Sequence, residues 1–384
     1  MESPTPVRVN VAQARYALIG LIIVAIIIAG LGYYTYTSHK SEKQLVIYVY
    51  SDFMAWGENP EAVWKQVFDA FGEKYGVNVT VRTFDDARTA LVTAIDEYKR
   101  GVRTADLIIG VDNILVYEAK SAGIIECYFS PVAQETVPQD VVNVLDPDKC
   151  VTPIDYGLIT LVYDPAKLDN TTLQVLEDKP SFADLANPQI ASKLIVEDPT
   201  KSSPGLSFLY WEIAVTSKLE GKDWKEWWNN VKNNILVTPS WGDAYDEFLR
   251  EGGTRGIVVS YGTDPAYSAW YNNGEPSISA ALIYYNGKST AWLQVEGALV
   301  VKGQPGTEWA KKFVDWLIST DIQELIPSNQ WMLPANSKAK LPDYYKYALT
   351  IDDVDIIANN LLTPEEIQAN YETWLLDWTQ IMGS

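Results

Sequence analysis

Aromatic rings and one carboxylate are concentrated around a single predicted strand in the second half of the sequence. Residues 256–260 carry no charge, which is typical of a strand that is buried on both faces. Tyr261, Asp264 and Tyr267 follow at the carboxyl end of that strand, where ligands bind in open α/β sheets. Trp241 precedes the strand by one predicted helix. Aromatic faces beside a carboxylate suit an organic cation, although a chain with 14 Trp and 23 Tyr also needs rings for its core, and Asp264 could simply cap the next helix.

Residues with other catalytic or metal-binding chemistry are few. His39 is the only histidine and precedes the expected folded domain, which excludes histidine-based acid–base chemistry, Ser-His-Asp and Cys-His nucleophiles and histidine-containing metal sites there. Cys127 and Cys150 are the only cysteines and cannot make a zinc site. Asp85 and Asp86 are adjacent, but neighbouring residues of a strand point to opposite faces, which disfavours hydrolysis by paired carboxylates. We therefore expect a binding protein rather than an enzyme.

The charge balance is strongly acidic, with 30 Lys+Arg against 50 Asp+Glu and a net charge of −20. Such a chain is repelled by nucleic acids and anionic lipid surfaces and attracts cations, so we expect no nucleic-acid partner. Its 384 residues exceed one ordinary core and indicate about two domains or lobes.

The amino-terminal region contains a long uncharged segment. Residues 16–38 carry no charge and are numerous enough to span a hydrocarbon core of roughly 30 Å. A cleaved signal peptide is the alternative, but its apolar region is usually shorter and ends at a small-residue cleavage site. We therefore predict a tail at 1–15, one transmembrane anchor at 16–38 and a tether at 39–44. Positive charges on the two sides of the segment balance, so they do not fix its orientation.

From residue 45 onward, predicted strands alternate with predicted helices. The strands are 45–50, 77–84, 105–111, 158–163, 194–198, 256–260 and 292–302, and the helices are 60–75, 89–101, 206–218, 243–251, 308–319 and 364–382. This βαβ alternation implies a largely parallel, doubly wound sheet. Ser202 and Ser203 precede a proline at one helix start, where free amides could hold a phosphate or carboxylate, although a plain N-cap explains the same residues.

Several spaced motifs cover most of the chain after residue 45. They are Y-x-x-F-x-x-W-G at 50–57, DYG-x-x-x-x-VYD-x-x-KL at 155–168, DP-x-x-S-x-PGL at 198–206, W-x-x-AY-x-x-FL at 241–249, SY-x-x-x-PAY at 260–267, LQVE at 293–296 and P-x-x-x-WM-x-P at 327–334. In order and spacing the chain resembles the periplasmic thiamine-binding proteins of ABC transporters, a branch of the two-lobed solute-binding proteins. The resemblance does not extend to the predicted anchor.

The resemblance also implies a ligand site, residue by residue. The positions that match the family's binding residues are the aromatic Tyr50, Trp56, Trp241, Tyr261, Tyr267 and Trp331, the hydroxyls Ser202 and Ser203 at the phosphate end, and Asp86 beside the aminopyrimidine. Ala87 stands where the family has a glycine, and Gly262 and Asp264 depart from the family's hydroxyl-rich turn. We include Asp264 in the site, because its charge would attract a thiazolium and repel a phosphate.

The fold that the resemblance implies is a type II periplasmic-binding-protein fold. Each lobe would be a doubly wound, mainly parallel sheet, with the ligand in the cleft between the lobes. Residues 45–154 and 262–384, with the C-terminal helices, would form lobe 1, and residues 155–261 would form lobe 2. Outside the cell we expect Cys127 and Cys150 to be joined in a disulfide.

The function that the resemblance implies is that of a receptor for an ABC importer. It would capture thiamine, or also thiamine phosphates, and pass it to the permease, as a monomer anchored in the cell membrane with its soluble domain on the extracellular or periplasmic side. We expect no cofactor and no bound metal. The alternatives are a receptor for another small cation such as a polyamine, a receptor for ferric iron held by Tyr284 and Tyr285, and an extracellular carboxylate-dependent hydrolase.

Overall fold

The computed structural model describes residues 43–383. The predicted tail at 1–15, the predicted anchor at 16–38 and most of the tether at 39–44 lie outside these residues. No helix between residues 43 and 383 is both long and apolar enough to cross a membrane.

Twelve strands are formed by the described chain. They are β1 (Gln44–Tyr50), β2 (Asn78–Phe84), β3 (Leu107–Asp112), β4 (Thr152–Tyr163), β5 (Leu194–Glu197), β6 (Leu236–Thr238), β7 (Ile257–Tyr261), β8 (Ser279–Ala281), β9 (Ile283–Tyr285), β10 (Lys288–Val300), β11 (Leu333–Pro334) and β12 (Ile356–Ile357). All seven strands expected from the sequence are present, and the two longest, β4 and β10, both begin earlier than predicted.

Helices connect and cover the strands. They are α1 (Pro60–Trp64), α2 (Ala70–Tyr75), α3 (Ala87–Lys99), α4 (Leu115–Ala122), α5 (Pro131–Thr136), α6 (Gln139–Leu145), α7 (Asn170–Glu177), α8 (Phe182–Leu185), α9 (Pro188–Ala191), α10 (Ser203–Ile213), α11 (Trp224–Val231), α12 (Trp241–Leu249), α13 (Asp264–Tyr271), α14 (Thr307–Leu317), α15 (Thr320–Gln323), α16 (Ile326–Asn329) and α17 (Pro364–Met382). A π-helical turn at Lys65–Asp69 joins α1 to α2, and another at Ala214–Leu219 extends α10.

Capping residues in the sequence define several helix ends. Asp86 accepts a hydrogen bond from Thr89 N at 2.8 Å where α3 begins, and Ser240 accepts one from Asp243 N at 3.1 Å where α12 begins. Gly76 ends α2 with φ of 63°, a left-handed conformation that glycine adopts at little cost. The helix boundaries therefore follow from local chemistry that the sequence supplies.

One mixed sheet of 12 strands runs through both lobes. Its main path is β2-β1-β3-β10-β4-β7-β5-β6, with β2, β1 and β3 in lobe 1 and β7, β5 and β6 in lobe 2. Pairing is parallel between β1 and its neighbours β2 and β3, and between β5 and its neighbours β6 and β7. The crossing strands β4 and β10 are antiparallel, because β4 runs from lobe 1 into lobe 2 and β10 returns. The prediction of mainly parallel sheets was therefore wrong at the centre, where the two lobes join.

Helices cover both faces of each half of the sheet, as a doubly wound fold requires. In lobe 1, Phe71 and Phe313 pack on one face and Leu91 on the other. In lobe 2, Trp211 packs on one face and Phe248 on the other. This double covering explains why β3 is buried along its whole length and carries an almost continuous apolar sequence.

The C-terminal helix packs on lobe 2, which corrects the expectation that all residues of 262–384 belong to lobe 1. Trp374 of α17 lies 5.7 Å from the ring of Tyr210, and Trp378 lies 5.7 Å from the ring of Trp228. The physical reason is burial, because both tryptophans are almost fully buried against the aromatic core of lobe 2. The spacing of apolar residues in the sequence does not indicate which lobe this helix contacts. Strand β8 likewise pairs with the lobe 2 end of β4.

A disulfide joins Cys127 and Cys150 in lobe 1, the pairing that we expected. Next to it, Tyr128 N donates a hydrogen bond to Cys150 O at 3.2 Å. The disulfide therefore links the segment before α5 to the segment that leads into β4, away from the cleft.

Candidate functional site

A cavity of about 390 Å³ lies between the lobes. All ten ligand-binding residues that the resemblance and the sequence implied are in its lining: Tyr50, Trp56, Asp86, Ser202, Ser203, Trp241, Tyr261, Asp264, Tyr267 and Trp331. Its volume falls within the range that is usual for small-molecule sites. Whether each of these side chains contacts a ligand remains a prediction, but the chain brings them to one place.

Strand ends from both lobes converge on the cavity. Tyr50 and Asp112 are the last residues of β1 and β3 in lobe 1, and Tyr261 is the last residue of β7 in lobe 2. Gly110 of β3 permits the close approach of the Tyr50 ring, because a Cβ at this position would lie 2.4 Å from Tyr50 Cε1. The carboxyl edge of parallel strands is where open α/β sheets bind ligands, so the location agrees with the topology.

Aromatic rings form the walls of the cavity. Trp56 from lobe 1 meets Trp241 from lobe 2 edge to face, with centroids 5.3 Å apart. On the other side, Tyr267 and Trp331 are in edge contact at 4.9 Å. The Trp56–Trp241 contact joins the two lobes directly, so the lobes are closed around the cavity.

Hydrogen bonds hold the indole rings in fixed orientations. Trp241 Nε1 donates to Ser260 Oγ at 2.9 Å, and Trp331 Nε1 donates to Trp56 O at 3.0 Å. Trp331 has φ of 59°, a left-handed conformation that is costly for a bulky residue and persists only where the surroundings enforce it. The ring of Trp331 is therefore positioned at a cost in backbone energy, which is a common feature of ligand sites.

Asp264 lies at the cavity with one carboxylate oxygen unpartnered. It is 4 % exposed, and its Oδ2 has no hydrogen-bond partner. Burial raises the pKa of Asp264 to about 7, although the Ser260 hydroxyl works in the opposite direction. Helix α13 begins at Asp264 itself, and Thr263 occupies the N-cap position without a side-chain cap. The alternative that Asp264 caps this helix is therefore wrong, and a cation beside its unpartnered oxygen would favour the ionised form of this carboxyl.

Asp86 has a structural role in addition to its place in the cavity wall. Its Oδ1 accepts a hydrogen bond from Thr89 N and its Oδ2 accepts one from Thr89 Oγ1, both at 2.8 Å. Asp85 also lines the cavity but is exposed. Asp86 thus caps a helix, and both of its carboxylate oxygens accept hydrogen bonds from Thr89.

The two serines lie where lobe 2 meets lobe 1. Ser202 is the N-cap of α10 and accepts a hydrogen bond from Gly205 N at 3.4 Å, as the N-cap interpretation predicted. Ser203 lines the cavity together with Asp112 of lobe 1, and its hydroxyl partly offsets the burial that raises the pKa of Asp112. Ser203 therefore lies beside an acid of lobe 1 in this closed arrangement.

Acidic side chains outnumber basic ones around the cavity. The acids in its lining are Asp52, Asp85, Asp86, Asp112, Asp264 and Glu296, and the one basic residue is Lys201. Lys201 is already paired with Asp198 at 3.0 Å. The local field therefore favours a cationic ligand, in agreement with the sign of the net charge of the whole chain.

Several lining residues were missed by sequence reasoning although a signal was present. Tyr245 stacks on Trp241 at 5.0 Å, and its spacing of four residues along one helix could have identified it. Gln294 and Glu296 are two residues apart in the otherwise apolar second part of β10, which places both on one face of the sheet. Gln330 donates to the Tyr50 hydroxyl at 2.5 Å and neighbours Trp331 in sequence. Two signals in the sequence could thus have identified these lining residues: polar residues within an apolar stretch of a strand, and residues adjacent to a motif.

The residues of the iron alternative lie elsewhere. Tyr284 and Tyr285 are part of β9, and neither lines the cavity. Burial raises the pKa of Tyr261 and Tyr267, which do line it, and a raised pKa opposes formation of a tyrosinate ligand. Within residues 43–383 no group of three His, Cys, Asp or Glu side chains could hold a metal ion.

Residues 103–360 match the family described as bacterial extracellular solute-binding protein. Among characterised relatives, the thiamine-binding periplasmic protein of Brucella abortus biovar 1 (strain 9-941) is 29% identical over 347 residues, which cover 88% of this chain and 92% of the relative. The thiamine-binding periplasmic protein of Escherichia coli (strain K12) is also 29% identical over 347 residues, covering 88% of this chain and 93% of the relative.

Solved structures with the same fold bind different solutes. A periplasmic thiamin binding protein superposes with a TM-score of 0.69 at 26% identity, covering 88% of this chain and 96% of that one. A ferric binding protein from Campylobacter jejuni superposes with a TM-score of 0.67 at 18% identity, covering 88% of this chain and 99% of that one. At that lower identity the likeness establishes the two-lobed fold and leaves the ligand to be argued from the site.

Proposed function

We propose that this chain, which belongs to the bacterial extracellular solute-binding protein family, captures thiamine between its two lobes and delivers it to the permease of an ABC importer. One observation carries the proposal: nine residues chosen for their match to thiamine-binding proteins, together with Asp264, line a single cavity. The protein is a receptor in this proposal, so it holds its ligand without transforming it.

The chemistry of the cavity suits the thiazolium of thiamine. Each aromatic face that contacts a desolvated cation contributes roughly 0.5 to 2 kcal/mol. Asp264, with its unpartnered oxygen, supplies a carboxylate on the same wall as Tyr261 and Tyr267. Fixed indoles also provide flat surfaces for the aminopyrimidine, so one cavity accommodates both rings of the ligand.

Phosphate esters of thiamine are a second candidate ligand with a specific structural basis. A second cavity of about 270 Å³ shares Lys201, Ser202 and Ser203 with the first, and its lining adds Arg88. A phosphate bound at the serines would therefore extend toward two cations and away from Asp264. The acidic lining of the main cavity nevertheless favours thiamine over its phosphates.

The proposal also includes location and partners. Residues 16–38 would anchor the receptor in the cell membrane, with a monomeric soluble domain on the extracellular or periplasmic side. Native protein should then fractionate with membranes and expose its bulk to external protease. Recovery of a soluble mature chain that begins near Thr35 would show that the segment is a cleaved signal peptide.

Mass spectrometry of the natively purified protein tests the ligand assignment. We expect a bound molecule with the mass of thiamine or one of its phosphates, which is lost on denaturation and recovered on refolding with thiamine. A polyamine mass, or bound iron with a tyrosinate absorption band, would support the alternatives instead.

Closure of the lobes provides an independent test. A ligand that contacts both lobes favours the closed state by its differential affinity, so it must shift the equilibrium between open and closed forms. Small-angle scattering should show a smaller radius of gyration when thiamine is added to ligand-free protein. An unchanged radius at saturation would contradict a hinged receptor.

A further inference from the structure

Two carboxyl groups lie opposite each other on the crossing strands. Asp155 of β4 and Glu296 of β10 are register partners in the antiparallel pair, at the point where both strands pass from one lobe to the other. Directly opposed residues in such a pair project from the same face, with Cβ atoms roughly 4.5 to 5.5 Å apart. The register shifts between Glu296 and Gly297, so the pairing is irregular beside these acids.

The two carboxyls differ in access and in hydrogen bonding. Glu296 lines the cavity and accepts a hydrogen bond from the Tyr50 hydroxyl at 2.7 Å. Asp155 is fully buried behind it, and neither of its carboxylate oxygens has a partner. No lysine or arginine between residues 43 and 383 forms an ion pair with either group. A buried acid pair is therefore left without a cation of its own.

Such a pair cannot carry two negative charges at modest cost, because each charge is desolvated and repels the other. Burial, reinforced by Glu296, raises the pKa of Asp155 well above its usual range. Burial likewise raises the pKa of Glu296 to about 8, against the lowering effect of the Tyr50 hydroxyl. At neutral pH the ligand-free pair thus retains at least one proton.

The surrounding titratable groups do not supply the missing positive charge. Those that interact with the pair are Tyr50 of β1, Asp112 of β3, Tyr261 of β7 and Tyr345 of the 3-10 turn at Asp343–Tyr347. Burial raises the pKa of all three tyrosines, so they stay neutral phenols. Asp112 adds a further acid and interacts with the cation of Arg88. The positive charge that would best match the pair is that of a ligand in the cavity.

We propose that Glu296, with Asp155 behind it, is a further counter-charge for the bound cation beside Asp264, and that capture of the cation releases to solvent a proton that the pair holds. The ligand's charge favours the ionised form of Glu296, and the proton can leave through the cavity, which Glu296 lines. This inference rests on the proposed function, because thiamine supplies the cation. It assigns to the junction of the lobes a charge-sensing role beyond that of a mechanical hinge.

The inference predicts that affinity depends on pH with a definite sign. The ligand binds the ionised form, so a carboxyl with a raised pKa opposes binding at low pH and ceases to oppose it as the pH rises through that pKa. Thiamine should therefore bind more tightly at pH 8 than at pH 6, by up to about tenfold per pH unit. Release is favoured when the pair takes up its proton again.

Calorimetric titration in buffers of different ionisation enthalpy measures the released proton directly. At pH 7 the wild type should release about one proton per thiamine. Glu296→Gln should remove the part of this release that comes from the pair, leaving only the contribution of Asp264, and weaken binding at pH 8 at least about tenfold. Glu135→Gln, an exposed acid of lobe 1 outside the cavity, is the matched control and should behave as the wild type. Subtracting the variant from the wild type cancels any proton exchanged by thiamine itself.

Asp155→Asn distinguishes a charge effect of the acid pair from a structural role of Asp155. Removing the second acid lets Glu296 ionise more easily, so proton release at pH 7 should fall while binding at pH 6 becomes tighter. A merely structural loss would weaken binding at every pH, and this result would overturn the inference. The same conclusion follows if the wild type binds thiamine with no proton release, or if Glu296→Gln releases as much as the wild type. Failure of the wild type to bind thiamine would instead overturn the proposed function, and the inference with it.

Discussion

Aromatic rings are concentrated in two regions of the molecule, the core of lobe 2 and the walls of the cavity. In the core, Trp228 contacts the rings of Phe208, Trp227 and Trp378 at 4.9 to 6.1 Å and is 1 % exposed. In the cavity, Trp56 contacts Trp241 at 5.3 Å but remains 37 % exposed. Tryptophan occurs in both regions, but only the cavity rings border a space lined by acidic residues.

The difference shows how a tryptophan-rich sequence divides its rings between stability and recognition. Core rings pack against one another, and Trp228 Nε1 donates a hydrogen bond to Glu212 Oε2 at 3.1 Å. Cavity rings leave faces uncovered between the lobes, where a ligand can complete the contacts. Mutations in the two regions should therefore separate unfolding from binding.

The largest effect is expected from the core. Trp228→Ala removes a buried indole and leaves Glu212 without its donor, so the free energy of unfolding should fall by about 3 to 5 kcal/mol. Thiamine affinity of the remaining folded protein should change little. Urea unfolding and calorimetry measure both quantities, with Trp228→Phe as the milder control. A large loss of affinity at unchanged stability would remove the distinction between the two regions.

Asp264→Asn should produce the opposite pattern at the cavity. Loss of a desolvated charge contact costs about 2 to 5 kcal/mol, so thiamine should bind at least about tenfold more weakly. Thiamine pyrophosphate should lose less affinity, because the same charge repels its phosphates. Asp246→Asn, an exposed acid of α12 outside the cavity, makes the same charge change and should leave both affinities intact. Equal losses for the two ligands would contradict a direct contact with the thiazolium.

Trp56→Ala should weaken thiamine binding by up to about 2 kcal/mol, the value of one desolvated cation–π contact. Stability should change little, because the ring is half-exposed and packs mainly across the cleft. Trp309→Ala removes a partly buried ring outside the cavity and is the control for a general loss of aromatic surface. If both variants bind equally well, Trp56 is not a wall of the site.

The smallest effect concerns pH and the unliganded protein. The folded state holds a proton on Asp264 up to a pKa of about 7, whereas the unfolded chain releases it near 4. The contribution of Asp264 to the free energy of unfolding is therefore fully present below pH 4 and is lost as the pH rises through 7. Between pH 6 and pH 7 the free energy of unfolding of the wild type should fall by about 1 kcal/mol more than that of Asp264→Asn. Parallel stability curves for the two proteins would show that Asp264 is already ionised.

Much of the cavity could be predicted because its residues lie at strand ends and in spaced motifs. Tyr261, Asp264 and Tyr267 follow a strand that the charge pattern identified, and the structure places them together. The N-cap at Ser202 was also predictable, because capping depends on neighbours within four residues. Local chemistry and chain order were sufficient for these parts.

The rest depended on contacts between residues distant in sequence. Asp155 and Glu296 became neighbours only through the register of β4 and β10, and their missing partners cannot be read from either strand alone. The docking of α17 on lobe 2 likewise depended on shape complementarity between tryptophans far apart in the chain. Long-range pairing therefore decided the features that the sequence left open.

Thiamine binding by the ligand-free wild type tests the central claim most directly. The protein is unfolded to remove endogenous ligand, refolded, and titrated with thiamine in a calorimeter at pH 7.5. We expect one site per chain with a Kd at or below about 1 μM, which corresponds to about −8 kcal/mol. Absence of binding at about 1 mM thiamine in a refolded protein that closes around a polyamine or ferric iron would contradict the account.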